Sequence, residues 1–168
     1  MKDLGKAKVC IGLEIERDRT AKTLSLTQTK YASKVLERFG MSTCNPSLTP
    51  LEQGHTTTIS TENDSETNAP YREAVGSLMY LMVGTRPDLA YGIGKLSQHS
   101  ANPCESHWAG VKRVMRYVQG TRNLGIVFDN KSKSPELFGF SDADWAGCSD
   151  SRKSTSGYVF KFCGGAIS

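Results

Sequence analysis

The chain contains no apolar run approaching the ~20 residues that span a bilayer; its longest falls at residues 78–83 of 168. The opening Met1-Lys2-Asp3-Leu4-Gly5-Lys6 has no apolar stretch of signal-peptide length. Cysteine is sparse. The five residues Cys10, Cys44, Cys104, Cys148 and Cys163 are odd in number and scattered, with no Cys-x-x-Cys pair, which excludes a disulfide framework and indicates a reducing compartment. These absences predict a cytoplasmic or nuclear protein with no membrane partner. Six Pro and sixteen aperiodic Gly exclude a collagenous or low-complexity class. No internal repeat is present. A net charge of +4 permits a nucleic-acid or anionic partner without requiring one.

What is present reads as four blocks. Val9, Ile11, Leu13 and Ile15 alternate as in a half-buried strand; Asp18-Arg19-Thr20-Ala21-Lys22 turns the chain, and Leu24 and Leu26 resume the alternation, so a hairpin is expected. Thr27 is positioned to cap a helix whose apolar residues are Tyr31, Val35, Leu36 and Phe39, with Gly40 ending it. A polar stretch follows, broken by Asn45-Pro46 and Thr49-Pro50, and reads as a mobile linker. Three helices come next. Ala74, Leu78, Leu81 and Met82 face the core from the first, and Leu89, Ile93 and Leu96 from the second. Trp108, Val111, Val114, Met115 and Val118 do so from the third. Thr85-Arg86-Pro87-Asp88 reads as a helix start with Thr85 as its cap. Residues 126–128, 137–141 and 158–162 read as three closing strands.

The strongest chemical signal is Phe138-Gly139-Phe140-Ser141-Asp142-Ala143-Asp144-Trp145. A strand delivers two carboxylates at its end, two residues apart, with Asp150 in the loop beyond. Clustered carboxylates suit hard divalent cations and a two-metal phosphoryl displacement, which makes Asp142 and Asp144 candidate metal ligands. The competing reading makes Asp144 and Asp150 turn formers. A second signal is the basic ridge of Lys112, Arg113 and Arg116, followed by Arg122. It is a candidate phosphate-backbone contact with Tyr117 as a stacking surface, set against the commoner solvated basic face. Arg152 and Lys153 carry the same two readings. Cys104-x-x-His107 with His99 nearby suggests zinc, but a fourth ligand is missing. Gly92-Ile93-Gly94-Lys95 has the wrong spacing for a phosphate loop, and Ser154, Thr155 and Ser156 have no histidine evidently placed to activate them.

Composition and spacing stop at an α+β domain with a possible metal site. The motifs go further. Met1-Lys2-Asp3-Leu4-Gly5, Ile11-Gly12-Leu13-Glu14-Ile15, Gln28-Thr29-Lys30-Tyr31, Leu36-Glu37-Arg38-Phe39-Gly40-Met41 and Thr49-Pro50-Leu51 come in that order. They are followed by Tyr71-Arg72, Gly76-Ser77-Leu78-Met79-Tyr80-Leu81, Thr85-Arg86-Pro87-Asp88, His107-Trp108, Arg116-Tyr117 and Gly120-Thr121. Ser141-Asp142-Ala143-Asp144-Trp145-Ala146-Gly147 and Ser154-Thr155-Ser156-Gly157-Tyr158 complete the series. So ordered, the chain resembles the Pol polyprotein of copia-type retrotransposons, across the end of the reverse transcriptase, the connection and the start of RNase H. Cys10-Ile11 departs from the Phe-Leu usual there.

The resemblance implies an α+β fold in four parts. Residues 1–42 would be the end of the palm, with a primer-gripping hairpin and a thumb-like helix. Residues 43–69 would be a flexible linker, 70–122 a helical connection, and 123–168 an incomplete RNase H-like antiparallel sheet. It makes Asp142 the first RNase H carboxylate, with Mg²⁺ the parent family's cofactor. The parent's activities would be RNA-directed DNA synthesis and hydrolysis of RNA in RNA/DNA hybrids. The polymerase aspartates would precede Met1 and the remaining RNase H carboxylates would follow Ser168, so both sites would be incomplete and no metal held stably. The expected partners are an RNA/DNA hybrid, bound weakly through its backbone by Lys112, Arg113, Arg116, Arg152 and Lys153, and complementing fragments of the polyprotein. A rival reading is a host-adopted or secreted interaction protein, because some RXLR-class effectors resemble the same segment; the missing signal peptide and Arg-x-Leu-Arg stretch count against it. A third is a chain whose exposed strand edges make it aggregate.

Overall fold

The computed structural model describes residues 5–52, 65–129, 136–147 and 152–168. Among them the chain is mixed α and β, with four α-helices and two antiparallel sheets that do not close. It divides into two compact units. One holds Met1–Thr27 with Gly125–Ser168, and the other is Gln28–Leu124.

In the first unit, β1 (Val9–Cys10) and β2 (Leu13–Asp18) are joined by a two-residue turn, Ile11-Gly12, at φ 47° and 74°. Both central residues of this tight turn take positive φ, which Gly12 adopts freely and Ile11 under strain. The alternation read as a single strand through Val9 and Ile15 is therefore broken by a turn. After β2, the Asp18 Oδ1 accepts the N–H groups of Thr20 and Ala21 at 2.8 and 2.9 Å, an Asx turn that reverses the chain into β3 (Thr23–Thr27). The outer partner of β3 comes from far along the chain: β4 (Gly125–Asp129) pairs with it from Thr23↔Asp129 to Thr27↔Gly125. The last sheet consists of β5 (Leu137–Ala143), β6 (Ser156–Phe162) and the short β7 (Gly165–Ala166). Residues 126–128, read as the first of three closing strands, thus extend the hairpin's sheet, and the other two expected strands pair with each other.

The second unit is built on α1 (Thr29–Arg38), α2 (Tyr71–Gly84), α3 (Ala90–Ser97) and α4 (Glu105–Gly120). A 3₁₀ turn, Pro87–Leu89, precedes α3. The apolar spacing read from the sequence is the core that forms: Val35, Leu36, Ala74, Leu78, Leu81, Leu89, Ile93, Leu96, Val111, Val114, Met115 and Val118 are all buried. Tyr31, Phe39, Met82, Trp108 and Tyr117 pack on it while partly exposed. Gly40, at φ 67°, ends α1, and the Met41 N–H reaches back to the Leu36 carbonyl at 2.7 Å. Thr27 does not cap α1: it ends β3, and Gln28 occupies the cap position without a side-chain cap bond.

The stretch read as a linker has no helix or strand of its own in its described part, but Ser42, Asn45, Ser47, Thr49 and Glu52 are bonded to α4. Gln119 donates to the Ser42 carbonyl, Arg116 to that of Asn45, and Arg113 to Thr49 and Glu52. Pro46 lies against Gly120. Residues 53–64 of the linker lie outside the described residues, and its last part pairs with the start of α4 through an isolated Glu66↔Cys104 bridge and the bonds of Ser65 and Thr67 to Glu105 and Pro103.

Candidate functional site

Asp142 sits in β5 opposite Gly157 of β6 and is exposed. Its Oδ1 accepts the N–H of Ala143 at 2.8 Å. Asp144 follows the strand. Its N–H donates to the Thr155 carbonyl, and its Oδ1 accepts the Thr155 and Gly147 N–H groups at 2.7 and 3.3 Å. That is an aspartate stitching a loop together. Asp150 lies outside the described residues. Among the described residues no group of three or more His, Cys, Asp or Glu is arranged to hold a metal.

The basic residues divide by what they touch. Arg113 is bound to Glu52 at 2.6 Å and to Thr49 at 3.2 Å, and Arg116 to the Asn45 carbonyl at 2.7 Å, so both hold the 42–52 stretch on α4. Lys112 and Arg122 are exposed, as are Arg152, at φ 52°, and Lys153. Lys112, Arg113 and Arg116 belong to one compact unit, and Arg152 and Lys153 to the other.

The Cys104-x-x-His107 spacing is a helix cap. The Cys104 side chain receives the backbone of His107, and the His107 Nδ1 accepts the Cys104 N–H at 3.2 Å, closing a capping box at the start of α4. His99 stacks on His107 with ring centroids 3.9 Å apart and planes 19° from parallel. Imidazole lone pairs lie in the ring plane, so two stacked rings cannot aim them at one ion.

Sequence reading missed a buried polar cluster in the helical unit. Arg86, 2% exposed, donates through Nε and Nη2 to the two oxygens of Asp88 at 2.9 and 2.8 Å. Its Nη1 and Nη2 also donate to the Thr121 carbonyl and Oγ1 at 2.9 and 2.7 Å. Tyr117 donates its hydroxyl to Asp88 at 2.9 Å, and the Arg86 guanidinium lies 5.4 Å from the Tyr117 ring centroid. Thr121 Oγ1 in turn donates to the Tyr117 carbonyl at 2.7 Å. Beside this cluster, Thr85 ends α2 rather than capping the next helix. Its hydroxyl donates to the buried Gln28 Oε1 at 2.9 Å, joining the start of α1 to the end of α2. One signal was available: Arg86 and Asp88 flank a proline next to buried Leu89, a place where a charged pair has to satisfy itself.

Burial of Asp88 would by itself raise its pKa, but the bonds and charge of Arg86, together with the Tyr117 hydroxyl, hold the carboxyl below its ordinary 3.8. A depressed carboxyl contributes stability above its unfolded pKa, and loses it as pH falls through the folded value. The stability gap between wild type and Asp88→Asn should be about 1–2 kcal/mol near neutrality, allowing for screening of a partly exposed carboxylate. In urea titrations the gap should shrink below a pH of about 4; a gap that widens there would contradict the assignment. Tyr117 is shifted upward, by burial and by donating to Asp88. Tyr71, buried and donating to the Leu96 carbonyl at 2.7 Å, is pushed up to about 12, chiefly by desolvation.

No protein-family model matches the chain, and no solved structure matches it. Curated relatives do. The retrovirus-related Pol polyprotein from transposon TNT 1-94 of Nicotiana tabacum is 46% identical across the whole chain, which spans 13% of that polyprotein. The Pol polyprotein from transposon RE2 of Arabidopsis thaliana is 41% identical over 88% of the chain, which covers 10% of it. Secreted RxLR effector protein 161 of Plasmopara viticola is 54% identical over 60% of the chain, covering 70% of that protein. The chain is thus related over most of its length to a short segment of the retrovirus-related Pol polyproteins of plant transposons, consistent with its copia-type motifs.

Proposed function

We propose that this chain is the part of a retroelement Pol protein joining reverse transcriptase to RNase H, and that alone it acts as a scaffold without catalysis. The observation that carries this reading is where the family's motifs lie. Gln28 and Thr85 meet in a buried bond, and Arg86, Asp88, Tyr117 and Thr121 form one network, so these motif residues lock helices together. Asp142, the counterpart of an RNase H carboxylate, is exposed and bonded to its neighbour's N–H. In the parent polyprotein, synthesis of DNA on RNA and hydrolysis of the RNA strand would be carried out by sites of which this chain supplies one carboxylate.

The ligand of this reading is the backbone of an RNA/DNA hybrid, contacted weakly by exposed Lys112 and Arg122 of the helical unit and, separately, by exposed Arg152 and Lys153 of the other. Arg113 and Arg116 act on the fold instead. A labelled hybrid should bind in a salt-sensitive way, with no Mg²⁺-dependent cleavage by wild type or Asp142→Asn. Lys112→Glu should weaken binding about threefold and lower the salt slope by about one. Arg113→Ala should chiefly lower stability. Cleavage by wild type that Asp142→Asn abolishes would overturn the scaffold reading. The likeness to the Plasmopara viticola effector supports a second reading, an interaction protein derived from the same segment. A stable protein complex with no hybrid affinity would favour it.

A further inference from the structure

We infer that the Glu52 carboxylate is an internal competitor for a phosphodiester site on α4 centred on Arg113, so that the helix offers its full basic ridge to a nucleic-acid backbone only when Glu52 is displaced. This rests on the hybrid-binding reading above and adds to it a contact that Glu52 withholds.

The 42–52 stretch is seated on the helical unit by contacts that need no charge of its own. The Ser47 N–H donates to the Arg116 carbonyl at 3.2 Å, Gln119 donates to the Ser42 carbonyl at 2.7 Å, and Arg116 to that of Asn45 at 2.7 Å. Pro46 lies against Gly120, and Leu51 against Gly92 of α3. Glu52 comes after all of these. Its carboxylate meets Arg113 Nη1 at 2.6 Å with its side chain 62% exposed, and an ion pair that open contributes little to folding. The pair is therefore separable from the seating of the stretch, and its main consequence is electrostatic.

That consequence falls on the ridge. Arg116 lies three positions along α4 from Arg113 and four from exposed Lys112, so the three share a face. Arg116 is bonded to a neutral carbonyl and keeps its charge for a ligand. Among the described residues, Arg113 alone of the three meets an opposite charge. The grip on it is incomplete. One Glu52 oxygen takes Nη1, Thr49 Oγ1 accepts from Nη2 at 3.2 Å, and no described residue bonds Nε. Carboxylate–guanidinium pairs are strongest when two parallel bonds form, and here there is one. A backbone phosphate brings two free oxygens, and neutralising it releases counterions from the polyanion, a gain that Glu52 cannot match. Glu52 has the advantage of its tether, which keeps it beside Arg113 at every ligand concentration. The balance is attenuation: the hybrid binds with Glu52 in place and gains one phosphate contact when Glu52 leaves.

The test is fluorescence anisotropy with a labelled RNA/DNA hybrid across a salt series. Glu52→Gln and Glu52→Ala should each bind about fivefold tighter than wild type near physiological salt, with the salt slope steeper by about one. Glu52→Gln combined with Arg113→Gln keeps the wild-type net charge and should return both affinity and slope to wild-type values. Glu105→Gln removes the same charge from the exposed start of α4 without touching Arg113, and should gain less than about twofold at an unchanged slope. Circular dichroism and urea midpoints of the Glu52 variants should match wild type, since the seating contacts remain; loss of fold would make Glu52 a structural clasp and overturn the inference. Wild type that binds while Glu52→Gln gains nothing would overturn it and leave the hybrid reading standing. So would a gain that survives Arg113→Gln, or one that Glu105→Gln reproduces in full. Failure of wild type and both Glu52 variants to bind would overturn the hybrid reading and this inference with it, whereas binding by the Glu52 variants alone would show the competitor at its strongest.

Discussion

Arg86→Ala is expected to destabilise the helical unit by about 2 kcal/mol, because it removes a buried guanidinium that bonds the partly exposed Asp88 carboxylate and both oxygens of Thr121. Asp88 would keep the Tyr117 hydroxyl but lose the guanidinium, and the Thr121 carbonyl and hydroxyl would each lose a donor. Arg86→Lys should recover little, since an ammonium cannot reproduce the two-pronged grip on Asp88 together with both bonds to Thr121. The internal comparison is Arg38, whose 3.2 Å pair with Glu73 leaves both side chains more than half exposed. Arg38→Ala should fall within about 0.5 kcal/mol of wild type. Urea denaturation of the three variants decides the matter. If Arg86→Ala loses no more than Arg38→Ala, the network is decoration on a helix packing that holds by itself.

The helical unit was largely legible because its information is periodic. Apolar residues three and four apart mark buried faces on α1 to α4, and the core consists of those residues. Polar partners are harder to read, because sequence distance does not encode them. Gln28 and Thr85 are separated by 57 positions and meet only once α1 and α2 have packed. Arg86 and Thr121 are 35 apart and are joined by the packing of α4. Thr27 and Thr85 looked like helix caps because their local contexts fit one. A hydroxyl has several partners open to it, and tertiary packing decides among them. Cys104 and His107 show the converse: metal-like spacing is also the spacing of a capping box.

The carboxylate motif was visible as a motif, but its neighbourhood was not. Periodicity located β5 and placed Asp142 near its end. It could not say that the Asp144 carboxylate would be drawn into the loop by Thr155 and Gly147. The basic ridge has the same lesson. Helical geometry set Lys112, Arg113 and Arg116 apart from the apolar face, yet the 42–52 stretch, which has no helix or strand pattern in sequence, folds back and engages two of the three.

The strand order was the least legible feature, and Gly125→Val is the substitution that tests it. The Ile126-Val127-Phe128 run reads as a strand wherever it pairs, so the sequence offers no choice between β3 and β5 as its neighbour. Gly125 offers one in retrospect. It stands opposite Thr27, and a side chain built there would collide with the Leu26 carbonyl and come within 2.9 Å of Thr27 Cγ2. A backbone carbonyl cannot rotate away as a side chain can, so the strands themselves must part. Gly125→Val should cost about 3 kcal/mol, at the upper end for overpacking. It should also abolish amide-exchange protection along Thr23–Thr27 and Gly125–Asp129 while that of α2 and α4 survives. Gly157→Val is the control: it lies in β6 with open space where its side chain would go, and a β-branched residue suits a strand. It should change stability by no more than about 0.5 kcal/mol. If Gly125→Val left β3 and β4 protected, the joining of the N-terminal hairpin to the C-terminal part of the chain would be wrong. Residues 126–128 would then be free to open the last sheet.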